Sequence, residues 1–103
     1  MKVMLMAAGI CALLGFGVTA QAAGDVQAGK AKAGACAGCH GANGEGVKPN
    51  PALAGKSEGE IVEALKDYKS GKRANPIMKT FATQLSDQDM ANVGAYYASL
   101  KAK

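Results

Sequence analysis

The chain contains the run Cys36-Ala37-Gly38-Cys39-His40. Two thiols three positions apart on one turn can each form a thioether with one haem vinyl group. The imidazole that follows can then turn toward the iron. The spacing C-x-x-C-H therefore reads as a c-type haem attachment site with His40 as proximal ligand. Other uses of these residues fit less well. A thioredoxin-like dithiol follows a strand in a βαβ unit, and no alternation of β-branched residues is present here. A structural zinc site needs four ligands, and beyond residue 22 the chain holds no Cys or His other than Cys36, Cys39 and His40. A plain disulfide would leave the histidine without a role.

His40 is the single histidine, so bis-histidine ligation within one chain is excluded. The methionines beyond residue 22 are Met78 and Met90. Met78 stands in Asn75-Pro76-Ile77-Met78-Lys79, which reads as a Pro-broken loop between two helices, and a loop methionine can reach into a haem pocket from the far side. Met90 falls at helical spacing with apolar neighbours and reads as core. Met78 is therefore favoured as the second axial ligand. A thioether in that position raises the potential. It also fills the sixth site, which suits electron transfer better than oxygen or peroxide chemistry.

The elements that must position these residues are few. The chain has 103 residues, which allows one domain and excludes a Rossmann enzyme, a TIM barrel or a kinase. Much of its 49% hydrophobic content is Ala, with no Trp and 5% aromatics. So short a chain with so few large side chains needs something else to build a core around. Part of the apolar content belongs to the first segment. Met1-Lys2, an uncharged apolar run from Val3 to Val18 and the Ala20-Gln21-Ala22 end have the form of a secretory signal peptide. The run is shorter than the about 20 residues needed to span hydrocarbon. Residues 1–22 are thus expected to be cleaved, leaving 23–103 as the domain. Cys11 reads as a small apolar residue of the leader, since Ile10 before it does not suit lipidation. Export places Cys36 and Cys39 in an oxidising compartment.

Asp25 is positioned to cap a first helix from about Val26 to Ala35, with Gly29 and Gly34 inside it as possible points of close helix approach. Gly41 to Gly55 is a Gly/Pro-rich loop. Ser57-Glu58-Gly59-Glu60 fits a capping box for a helix to about Lys69, with Ile61, Val62, Leu65 and Tyr68 on one face and Gly71 as its stop. Ser86-Asp87-Gln88-Asp89 is a second cap. Leu85 and Met90 suit a hydrophobic staple, and Met90, Val93 and Tyr97 form the stripe. Lys101 and Lys103 are expected at the helix end.

Together these segments resemble a class I c-type cytochrome, in particular the small bacterial monohaem group similar to cytochrome c553, c5 and the halves of cytochrome c4. The resemblance rests on Gly24-Asp25 to Gly29-Lys30, Cys36-Ala37-Gly38-Cys39-His40, Pro51-Ala52-Leu53-Ala54-Gly55, Tyr68 with Ser70-Gly71-Lys72-Arg73, Asn75-Pro76-Ile77-Met78, and Leu85-Ser86-Asp87-Gln88-Asp89 to Ala95-Tyr96-Tyr97. It implies an all-α cytochrome c fold, three or more short helices and Gly/Pro-rich loops wrapped around one haem c. It implies covalent attachment through Cys36 and Cys39 and axial ligation by His40 and Met78. The Pro51 carbonyl would accept a hydrogen bond from His40 Nδ1, with Leu53 and Tyr68 packed around the haem. Gly29 would lie where the first helix crosses the last, against Tyr96 or Tyr97. The small residues of 31–35 would make that crossing looser or closer than usual.

The expected function is a soluble periplasmic electron carrier, monomeric and not an enzyme. Its partners would be redox proteins: a membrane oxidase or reductase, or a periplasmic dehydrogenase. No stable membrane insertion is expected after signal cleavage. Lys69, Lys72, Arg73 and Lys79 flank Met78 and would steer acidic partners. The whole-chain charge of +4 without interleaved aromatics does not suit nucleic acid. The alternatives are a haem c subunit of a larger oxidoreductase, a five-coordinate haem sensor or peroxidase-like protein, and a haem-free thiol redox protein.

Overall fold

A computed structural model describes residues 23–101. The expected leader 1–22, Cys11 and Lys103 lie outside the described residues. Five helices occur among those described: α1 Val26–Lys32, α2 Gly34–His40, α3 Glu58–Ser70, α4 Pro76–Ala82 and α5 Asp87–Ser99. The described residues contain no strand beyond an isolated bridge between Val47 and Asn50.

The Asp25 carboxylate caps α1 by accepting the Ala28 N–H at 2.8 Å. The helix expected to end near Ala35 instead carries on, through a break at Ala33, to His40. Ala33 keeps helical dihedrals (φ −70°, ψ −8°), its N–H reaches the Gly29 carbonyl at 2.8 Å, and its own carbonyl accepts from Ala37 at 3.1 Å. Alanine tolerates this readily because it gives up no side-chain entropy in a helix. The Cys36–His40 motif therefore lies on a helix, and Gly41 at φ 98° ends it in a conformation that suits glycine.

Both capping boxes form. Ser57 Oγ accepts the Glu60 N–H at 3.1 Å while Glu60 Oε1 accepts the Ser57 N–H at 2.9 Å. Ser86 and Asp89 repeat the exchange at 3.0 Å in each direction. Gly71 stops α3 with a left-handed φ of 89°. α5 ends at Ser99 with Leu100 as an extended cap, so Lys101 lies past the helix and its last turn carries no basic residue.

α1 and α5 cross closely. A Cβ on Gly29 would stand 1.8 Å from the Asn92 carbonyl oxygen and 2.9 Å from Tyr96 Cβ. The crossing is therefore of the close kind, with Tyr96 as the aromatic facing Gly29. At Gly34 a Cβ would meet nothing within 4 Å, so that glycine makes no close approach. α3 packs on α5, where a Cβ on Gly94 would meet the Glu58 carbonyl at 2.8 Å, and α4 packs on α3. The Asn92 side chain ties the entry of α1 to α5 by accepting the Asp25 N–H at 2.8 Å.

The buried set is small. Tyr97, Met90 and Val93 are its largest fully buried side chains, joined by Ile61, Leu65 and several alanines. Burying one large apolar side chain contributes about 1.5–3 kcal/mol, so a handful of them makes a thin core for the chain. They form one wall, and the helices enclose a space beside it.

Candidate haem-binding site

That space is a cavity of about 480 Å³. α2 contributes Cys36, Cys39 and His40 to its lining, and the loop after it contributes Pro51 and Leu53. Ile61, Leu65 and Tyr68 come from α3, Met78 and Phe81 from α4, and Val93 from α5. A lining that is mostly apolar, with a few convergent polar groups, is the form of a cofactor pocket.

His40 is buried, at 7% exposure. Its Nδ1 lies 2.8 Å from the Pro51 carbonyl oxygen. A carbonyl only accepts, so Nδ1 carries the proton and donates, leaving Nε2 as the nitrogen with a lone pair to offer a metal. The loop that presents Pro51 is held to the helices by its own backbone. Gly46 N donates to the His40 carbonyl at 2.7 Å, and Gly55 N donates to the Tyr97 carbonyl at 3.0 Å. Asn50 Nδ2 donates to the Cys39 carbonyl at 2.9 Å. The imidazole is thus oriented by a loop tied down at both ends.

Met78 is half-buried in the cavity wall, whereas Met90 is fully buried in the core and absent from the lining. The segment carrying Met78 is not the loop expected from its proline. Asn75 caps α4 and Pro76 takes its first position, where the missing N–H costs nothing and the fixed φ suits a helix. Reading Asn-Pro only as a breaker hid α4, and with it Phe81. That residue shares the helix face of Ile77 and Met78 at i+4 and i+3, and it lines the cavity. Ile77, 66% exposed, stands with it at the rim.

Burial pushes the Cys36 thiol up from its ordinary value, with a hydrogen bond from Tyr97 acting against that rise. Burial likewise holds the Tyr97 phenol well above its usual range, and the neighbouring Cys36 adds to the effect. Cys39 is exposed.

The basic flank of Met78 divides in two. Lys69 Nζ donates to the Leu85 carbonyl at 2.9 Å. Arg73 Nε lies 3.2 Å from Asp67 Oδ2, with its guanidinium 5.8 Å above the Tyr68 ring. Bonding to the Tyr68 hydroxyl, then to Asp67, raises the already high Arg73 pKa further. All four cations are exposed, Lys69 and Arg73 while holding these partners at the surface and Lys72 and Lys79 beside them.

The residues fit a covalent haem. Two thiols stand on one wall beside an oriented imidazole, a thioether stands elsewhere in the same lining, and apolar side chains surround them. Among the described residues no group of three or more His, Cys, Asp or Glu could hold a metal ion by itself, and none of the helices is long and apolar enough to cross a membrane.

Comparison with known proteins agrees. The family model described as cytochrome c matches residues 26–101. Cytochrome c4 of Pseudomonas aeruginosa is 49% identical over 92 residues, covering 86% of this chain and 46% of that protein. Cytochrome c-553 of Helicobacter pylori is 40% identical, covering 98% of this chain and 100% of that one. The crystal structure of reduced recombinant cytochrome c4 from Pseudomonas stutzeri superposes with a TM-score of 0.73 at 35% identity, covering 79% of this chain and 48% of that one. The chain thus spans about half the length of the cytochrome c4 relatives it matches.

Proposed function

Since the chain belongs to the cytochrome c family, an electron carrier with one covalent haem c, we propose that it is a periplasmic one-electron shuttle with His40 and Met78 as axial ligands. In this reading residues 1–22 are an export leader and 23–103 the mature monohaem domain. The observation that carries the ligand assignment is the cavity lining, which includes both His40, oriented by Pro51, and Met78.

The haem supplies a one-electron ferric/ferrous couple when bound. Cys36 and Cys39 would anchor it to α2 through thioethers. Donation from His40 Nδ1 to the Pro51 carbonyl holds the ring in one tautomer and one orientation, with Nε2 as the nitrogen that would hold the iron. Met78, in the same cavity lining, would be the second residue to hold the iron. Leu53, Ile61, Leu65 and Val93 keep water from the cavity wall. Tyr68 closes one side and is held by the Arg73 guanidinium above it. None of these roles needs a catalytic acid, base or nucleophile. Partners are redox proteins met in brief encounters of small interface, and exposed Lys72 and Lys79 favour those with an acidic face.

The test is the ferric absorption spectrum of the holoprotein. The weak far-red Met-to-iron band is expected in wild type and in Met90→Ala, and is expected to be lost in Met78→Ala. Loss in Met90→Ala with retention in Met78→Ala would reverse the assignment. Rapid carbon monoxide binding by the ferrous wild type would instead indicate an open sixth site. The mass of the exported holoprotein checks cleavage after Ala22.

A further inference from the structure

The start of α4 depends on one atom. Asn75 Oδ1 accepts the N–H of Ile77 at 3.1 Å and that of Met78 at 3.0 Å. Pro76 between them has no N–H to satisfy. The next donor, Lys79 N, already reaches a backbone carbonyl, that of Asn75, at 2.8 Å. Every amide of the first turn beyond the cap is therefore served either by that one side-chain oxygen or by the Asn75 carbonyl behind it.

α4 has little else to hold it. It spans seven residues, and Ala82 at its far end is its one buried residue. A helix that short does not persist by itself. It packs mainly on α3, while Ile77 and Phe81 at the cavity rim remain exposed. Met78 sits at the third helical position, inside the turn that the Asn75 cap closes.

We propose that Asn75 is the positioning residue for Met78, and that its side-chain oxygen sets how firmly the thioether holds its place against a competing ligand. This rests on the reading of Met78 as axial ligand. Without the acceptor, the Ile77 and Met78 amides lose their partner and the first turn of α4 frays. The Met78 backbone then samples positions from which the thioether cannot reach back. The cavity stays intact, because its other walls come from α2, α3, α5 and the Pro51 loop.

The experiment titrates ferric holoprotein with imidazole and follows loss of the far-red band. Asn75→Ala is expected to lower the half-saturating imidazole concentration on the order of fivefold, the scale of a lost N-cap. Asn75→Asp and Asn75→Ser keep an acceptor oxygen and are expected to stay within about twofold of wild type. Ser57→Ala removes a comparable cap from α3 and is expected to lower the unfolding midpoint while leaving the imidazole titration unchanged. Should Asn75→Ala fail to accumulate as holoprotein, Asn75→Leu, close to Asn in shape but without an acceptor and as poor an N-cap as Ala, takes its place, and its titration is compared with that of Asn75→Ser.

The proposal is overturned by equal half-saturation in wild type and the acceptor-free variant, by an equal shift in Ser57→Ala, or by no recovery in Asn75→Asp and Asn75→Ser. Met78→Ala separates the two levels. If its band is absent and Asn75→Ala titrates like wild type, the positioning role alone fails. If its band persists, the axial reading fails and the positioning role with it.

Discussion

The two methionines of the described residues have similar chemistry and opposite surroundings. Met90 is fully buried among Val93, Tyr97 and Ile61, while Met78 lines the cavity. Met90→Ala leaves a hole in a thin core and is expected to cost about 2–5 kcal/mol in denaturant unfolding of the holoprotein, with the far-red band unchanged. Glycines divide in the same way. Gly29→Ala would drive a Cβ against the Asn92 carbonyl, a backbone atom that cannot rotate aside. We expect a loss of about 1–3 kcal/mol in the same measurement. Gly34→Ala meets open space and is expected to be neutral or to stabilise by up to about 1 kcal/mol.

At the scale of elements, capping decides where helices begin. The backbone N–H of Ser86 holds the Asp89 carboxyl below its ordinary value, helped by Lys32, 3.6 Å away. A carboxyl with a depressed folded pKa binds its proton less readily in the native state. Its contribution is therefore complete above the unfolded value of about 4 and is lost as pH falls through the lower folded value. Thermal unfolding between pH 7 and pH 2 is expected to show a shallower acid decline in Asp89→Asn than in wild type, from a lower plateau. The caps of α3 and α5 were readable because Ser-x-x-Glu and Ser-x-x-Asp are contiguous patterns. The cap of α4 uses equally local chemistry, but its Asn-Pro pair signals both a turn and a helix start. The continuation of α1 into α2 was hidden by its glycines. Only Gly29 has a packing reason, its close approach to Asn92, and a linear pattern does not display that contact.

On the scale of the whole molecule, charge governs encounter. Arg73 is offset by Asp67 and Lys69 is tethered at the surface to the Leu85 carbonyl, so steering near Met78 rests most on Lys72 and Lys79. Oxidation of the ferrous holoprotein by ferricyanide, a small anion, is expected to slow severalfold in the Lys72→Gln/Lys79→Gln double variant at low ionic strength. The difference should vanish near 1 M salt, where the Debye length is about 3 Å. Lys69→Gln is expected to lose stability more than rate.

The sequence by itself determined the chemistry. Cys36, Cys39 and His40 are adjacent, and their spacing alone specifies thioether attachment beside an imidazole. A chain with one histidine and almost no large aromatics also implied a cofactor at its centre. Tertiary structure decided what depends on distant segments meeting. It put Met78 in the cavity lining and Met90 in the core, brought the Pro51 carbonyl to His40 Nδ1, closed the Gly29 crossing on Asn92 and Tyr96, and gave two of four flanking cations partners within the protein. Covalent proximity makes a motif legible, whereas a contact between residues far apart in sequence exists only once the helices have packed.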